Sequence, residues 1–109
     1  MHTSELQWSS EEKDLAKAAI ATAYSREING LVQVVRDRAG SLNSMDDLWQ
    51  LHDFLSARRH ELDGKYDDRE SALLFVFSSL VKEGWLSLDE LEGLDSAKLS
   101  KITALTRMF

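Results

Sequence analysis

The sequence predicts an all-α protein: a long antiparallel helical hairpin followed by a compact C-terminal group of three shorter helices. Three observations carry this. The 109 residues contain no proline, so nothing in the chain forbids long uninterrupted helices. Serine and aspartate start signals recur along it, and Gly40, Gly64, Gly84 and Gly93 stand where the stretches they open would close. Apolar residues return at i, i+3 and i+7 rather than in alternation, and no segment reads as a strand.

Taken in order, residues 1–8 are expected as a flexible tail. Trp8-Ser9-Ser10-Glu11-Glu12 then opens a helix. Ser9 and Glu12 have the spacing of a capping box, in which each side chain satisfies the other residue's free backbone N–H, and Trp8 precedes the cap, placed to fold back on the first turn. The helical pattern runs to about Ala39. Ile20, Tyr24, Leu31 and Val35 form one apolar stripe, with Ala16, Ala19, Ala23, Ile28 and Val32 beside it. A helix of about 30 residues is about 45 Å long, more than one small globule covers. The simplest cover for Leu31 and Val35 is a second copy of the chain, two-fold dimers being the commonest assembly. Gly30, in mid-helix, costs about 1 kcal/mol against alanine and is either a seat for a close neighbour or a tolerated weak point.

The second helix starts at Ser44 with Asp46 and Asp47 in its first turn, where carboxylates suit the helix dipole, and is expected to stop at Gly64. Leu48, Leu51, Leu55 and Leu62 form its apolar stripe. Trp49, His52, Asp53, Ser56, Arg59, His60 and Asp63 lie on the neighbouring side. Residues 9–64 thus read as a hairpin acting as a dimerisation stalk, and residues 65–109 as a helical head. In the head, Asp67 with Glu70 is expected to cap a helix over about Asp68–Glu83, apolar on every side through Ala72–Phe77. Ser87 and Glu90 form another capping box, opening a short helix that stops at Gly93. Asp95 or Ser96 starts the last helix, with Leu99, Ile102 and Leu105 facing inward and Lys98, Lys101 and Arg107 outward. Phe77 reads as core, Phe75 as either core or surface, Trp85 as a plug, and Lys101 as a solvated lysine.

Composition removes several function classes. Thirteen basic against nineteen acidic residues give a net charge of −6, the wrong sign for general nucleic-acid binding. Without cysteine there is neither disulfide nor thiolate metal site. No apolar run reaches the roughly 18 residues of a membrane span, and Met1-His2-Thr3-Ser4-Glu5 lacks the basic and apolar regions of a signal peptide. A cytoplasmic protein without membrane insertion is expected.

The second face of the second helix holds the candidate chemistry. His52-Asp53 and His60 raise a metal site, but such a site needs ligands from other helices, and the remaining histidine is His2 in the tail. Acid–base catalysis by His52 with Asp53 is disfavoured because adjacent helix residues point about 100° apart, and the chain offers neither an activated nucleophile nor a glycine-rich phosphate loop. An enzyme is therefore not expected, nor a cofactor. What remains is a solvated face with one partly buried tryptophan, or a binding surface, since Trp and Arg dominate interface hot spots. Spacing leaves that choice open.

The stretch Asp46-Asp47-Leu48-Trp49, His52-Asp53-Phe54-Leu55-Ser56-Ala57, Arg59-His60-Glu61 and Asp63-Gly64-Lys65-Tyr66-Asp67-Asp68-Arg69 closely resembles the cyanobacterial fluorescence recovery protein family. Tyr24, Arg26-Glu27, Gly30-Leu31, Phe75-Val76-Phe77 and Ser100-Lys101-Ile102 extend the likeness over nearly the whole chain. The resemblance implies a non-enzymatic, α-helical homodimer, with a higher oligomer also known in the family. It implies binding to the photoactivated orange carotenoid protein, whose carotenoid stays with that partner. Faster red-to-orange reversion, detachment from the phycobilisome and an end to non-photochemical quenching would follow. The family's functional patch maps onto Trp49, His52, Asp53 and Arg59, its second contact region onto Phe75 and Lys101, and its dimer contact onto Leu48, beside Leu51 and Leu55. The competing expectation is a dimeric helical adaptor for an unrelated partner. The location implied is cytoplasmic, either free or peripheral to the thylakoid membrane.

Overall fold

A computed structural model describes residues 7–108. These form four α-helices and two short 3-10 turns, with no strand among the described residues: α1 (Ser10–Ala39), α2 (Met45–Lys65), a turn at Glu70–Ala72, α3 (Leu73–Glu83), a turn at Leu88–Leu91 and α4 (Ser96–Met108). The short helix expected before Gly93 is thus a single 3-10 turn. It does carry the expected box of Ser87 and Glu90.

Local chemistry sets most of the ends. Ser9 Oγ accepts from the Glu12 N–H and Glu12 Oε1 from the Ser9 N–H, both at 3.0 Å, which starts α1 where the sequence placed it. Ser44 Oγ accepts from the Asp47 N–H at 3.1 Å and starts α2. Gly84 takes φ +87°, and the N–H groups of Trp85 and Leu86 return to the Leu80 carbonyl, closing α3 as expected of a left-handed glycine. Gly64 does not end α2, which runs on to Lys65. Asp67 does not cap α3: its carboxylate accepts from the backbone and guanidinium of Arg69, forming a tight turn, and Arg69 is the residue before the 3-10 turn.

The core is one-sided. It consists of Trp8, Ala16, Ala19, Ala23, Leu73, Val76, Phe77, Leu80, Leu86, Leu91, Leu94 and Ile102. The first half of α1, which the sequence grouped with the hairpin, therefore packs into the head. Its buried stripe is Glu12, Ala16, Ala19, Ala23 and Glu27. The expected stripe through Tyr24 lies to one side, with Tyr24 exposed. Small side chains let the head approach the α1 backbone closely. Trp8, the last residue of the expected tail, is 7% exposed and joins this core, while residues 1–6 of that tail lie outside the described residues. α3 buries Leu73, Val76, Phe77 and Leu80 but leaves Phe75 exposed, so it is not covered all round.

No α2 residue is fully buried in its own chain, although Leu51, Phe54, Arg58, Leu62 and Lys65 are half-buried. Together with the second half of α1, α2 forms an arm, and the molecule extends over 59 × 25 × 24 Å with a radius of gyration of 17.1 Å. A compact chain of this length would have roughly 13 Å. The arm leaves Val32, Val34, Met45, Leu48, Trp49 and Leu55 exposed.

Candidate functional site

Trp49, His52 and Asp53 stand on consecutive turns of α2, and the fold brings them together. The Trp49 and His52 rings meet edge to face with centroids 5.9 Å apart. His52 Nδ1 lies 3.2 Å from Asp53 Oδ1. Although adjacent helix residues point about 100° apart, the two side chains bend across the gap to make this contact. Both are largely exposed, at 66% and 80%, so the contact is weak and presents no enclosed reaction site. Trp49 is 55% exposed. Arg59 is exposed six positions beyond Asp53, with no carboxylate at ion-pair distance among the described residues. An unpaired arginine and a half-exposed tryptophan on one helix are groups free to engage something else.

Leu48 at 46% and Leu55 at 36% are exposed, and Leu51, Leu31 and Val35 are half-buried. Phe75, at 58%, and Lys101 are both exposed on the head, on α3 and α4. No group of three or more His, Asp or Glu side chains that could hold a metal ion occurs among the described residues.

Sequence reasoning missed two charged clusters that hold the scaffold under these surfaces. Glu27, 1% exposed on α1, accepts from Tyr66 Oη at 2.6 Å, Lys65 Nζ at 2.9 Å and Arg58 Nη2 at 3.1 Å. Burial pushes its pKa up, but the bonds from Lys65 and Tyr66 and the nearby cations outweigh this and leave it lowered. Burial and the Glu27 carboxylate push the Tyr66 phenol up. The second cluster is Lys98, which the sequence turned outward but which is 1% exposed. Its Nζ donates to the Gln7 carbonyl at 2.6 Å, Asp95 at 3.0 Å and Glu12 at 3.1 Å. The available signal was phase: Glu12 and Glu27 share the alanine stripe of α1, and Lys98 stands one turn before Ile102.

These clusters predict an acid limit to stability. The Ser9 backbone N–H leads in holding Glu12 below its ordinary value, and Arg26 beside Glu90 brings that carboxyl down to about 2. Glu27 and Asp95 are lowered as well. Groups lowered in the folded state contribute stability above their unfolded pKa and lose it as pH falls through the folded one. Thermal melting followed by circular dichroism should be nearly constant above about pH 5 and fall steadily toward about pH 2. A melting temperature flat across that window would contradict the ion-pair assignment.

The comparisons with known proteins agree along the whole chain. Residues 8–106 match the family described as photoprotection regulator fluorescence recovery protein.

The chain belongs to the fluorescence recovery protein family.

It is 50% identical over 108 residues to the fluorescence recovery protein of Synechocystis sp., covering 99% of both chains. The solved fluorescence recovery protein of Fremyella diplosiphon is 57% identical and superposes with a TM-score of 0.90 over 94% of this chain and all of that one. The solved Synechocystis protein gives the same TM-score at 51% identity, over 93% of this chain and 99% of that one. The fluorescence recovery protein family is one of photoprotection regulators. The all-helical architecture expected from the sequence is shared with the solved members. No helix among the described residues is long and apolar enough to cross a membrane.

Proposed function

We propose that this chain, as a cytoplasmic homodimer, binds the photoactivated orange carotenoid protein and accelerates its return from the red to the orange form, detaching it from the phycobilisome and ending quenching. The observation that carries this is the Trp49, His52 and Asp53 cluster, exposed on a helix that has no fully buried residue in its own chain. Trp49, His52, Asp53 and Arg59 form the recognition face, and Phe75 and Lys101 a second contact on the head. Leu31, Val35, Leu48, Leu51 and Leu55 form the dimer interface. The elongated shape and the apolar side chains along the arm support a second copy as their cover.

The effect is kinetic. A regulator that bound both forms of its partner equally would change nothing. To speed reversion it must hold the barrier state more tightly than the open red form, and a tenfold gain needs about 1.4 kcal/mol of such preference. A face on the arm and a second on the head, each on a different part of the opened partner, would supply it by raising the effective concentration of one part at the other.

The red-to-orange absorbance change of photoactivated carotenoid protein tests this directly. Substoichiometric wild-type chain should accelerate it. Asp53→Leu should lower the acceleration by about tenfold or more while leaving the melting temperature unchanged, because Asp53 is exposed. Full acceleration by Asp53→Leu would remove the face from the mechanism. A folded dimer that does not touch the carotenoid protein would point to an adaptor for another partner. Light scattering across concentrations should return about twice the 12.4 kDa chain mass; a monomer at all concentrations would remove the interface.

A further inference from the structure

We propose that Glu27 is a positioning residue that fixes how α2 lies against α1 and the head, and so sets where the Trp49 face stands relative to Phe75 and Lys101. This rests on the function proposed above. Its basis is that α1 runs unbroken from the head into the arm, whereas few contacts within the chain seat α2. α2 contributes no buried residue to the core. It joins the head through four residues, Tyr66 to Arg69, and Tyr66 leaves the helical conformation at φ −92°, ψ 66°. At the same junction the Tyr24 and Tyr66 rings meet edge to face with centroids 5.1 Å apart, while the Arg38 guanidinium, 4.0 Å over the Phe54 ring, lies toward the free tip and ties α2 only to α1.

At the junction the bonds close a circuit. Glu27 on α1 holds Arg58 and Lys65 from α2 and Tyr66 from the connector. Lys65 also holds Glu83 at the end of α3. Trp85 Nε1 donates to that Glu83 at 3.2 Å, and Arg26 returns to α1 by donating to the Trp85 carbonyl at 2.9 Å and to Glu90 at 2.8 Å. The Trp85 ring seats on Gly30, where a Cβ would stand 3.2 Å from Cη2. Arg26, Glu27 and Gly30 therefore gather α2, α3 and the following turn onto one stretch of α1. A carboxylate that is 1% exposed and shared by three donors tolerates few alternative geometries. Rigid presentation of two contact faces is what a bivalent regulator needs, since a loosely seated α2 dilutes the second contact.

The absence of cysteine makes the placement of α2 measurable. Spin labels at Ala57→Cys on the arm and Ala104→Cys on the head, both exposed positions, report it, with labelled chains diluted in unlabelled ones so that only distances within a chain are read. The unaltered junction should give a single narrow distance. Glu27→Gln should broaden or shift it without loss of helix content. Lys65→Met, which leaves α1 untouched, should do the same and covers the case of a poorly folded Glu27 variant. In the reversion assay without labels, the acceleration at saturation should fall by about fivefold while the half-saturating concentration moves less than about threefold, because either face still binds alone. Unchanged distances in both variants overturn the proposal. So does a broadened distance with full acceleration, or a loss confined to half-saturation. If the wild-type chain itself gives no acceleration, the functional reading fails and the distances alone decide the role of Glu27.

Discussion

Phe77→Ala should destabilise the protein by about 3–5 kcal/mol, the range for deleting a buried phenylalanine and leaving its cavity. Phe77 is fully buried on the inner face of α3, between α1 and α4. Its cluster is built from small side chains on α1, whose alanines cannot reach across to fill the space. Domains of this kind typically have about 5–15 kcal/mol in total, so the variant should sit close to unfolding at physiological temperature. Urea denaturation followed by tryptophan fluorescence measures it. Phe75→Ala, two residues away and 58% exposed, is the control and should stay within about 1 kcal/mol. Equal losses from the two would mean that α3 is rotated from the orientation described.

Lys98→Ala should cost about 3 kcal/mol, the scale for breaking a buried ion pair from one side. The loss comes from what stays behind: Glu12 would keep its bonds from the Ser9 and Asp95 backbone N–H groups but have no cation. The pairing joins the first turn of α1 to the first turn of α4, which are 86 residues apart in sequence, so the two chain ends of the head loosen together. Lys98→Met keeps most of the apolar stem and should cost less. Its penalty should shrink as pH falls into the Glu12 titration range, because protonating Glu12 removes the unpaired charge. Lys101→Ala, at an exposed position, should change stability by no more than about 0.5 kcal/mol. A Lys98→Met penalty independent of pH would mean that packing, not charge, sets its effect.

Helix existence was legible because it is local. The Ser9–Glu12 and Ser44–Asp47 caps need only four consecutive residues to be recognised, and Gly84 needs only its own lack of a Cβ. Which face each helix turns inward was less legible. On α1 two stripes run side by side, and periodicity alone does not say which of them meets the head. The head took the alanine stripe, because α3 and the Leu88–Leu91 turn must come close to the backbone there. Glu27 was unreadable for a different reason. Its burial depends on donors 31 to 39 residues away, and a local pattern carries no record of them. The same distant bonds account for Gly64. Lys65 is held by Glu27 and Glu83, so the helix continues one residue past its usual stop. In the proposed recognition face, the 3.2 Å contact between His52 and Asp53 was not legible, since the 100° spacing treats the two as fixed vectors rather than flexible side chains.

That no α2 residue is fully buried in its own chain has a consequence for how the proposed dimer responds to dilution. The head carries its own core and should keep its hydrogen-exchange protection at any concentration. The arm has less internal reserve: away from the Glu27 junction, protection of its backbone amides beyond the helix itself would come from the second copy of the proposed dimer. In such a dimer mass action reaches into secondary structure: lowering protein concentration would loosen the outer part of α2 while the head stays intact. A substitution on the arm could pass every stability assay performed at high concentration and still leave the protein poorly ordered at the level where it works.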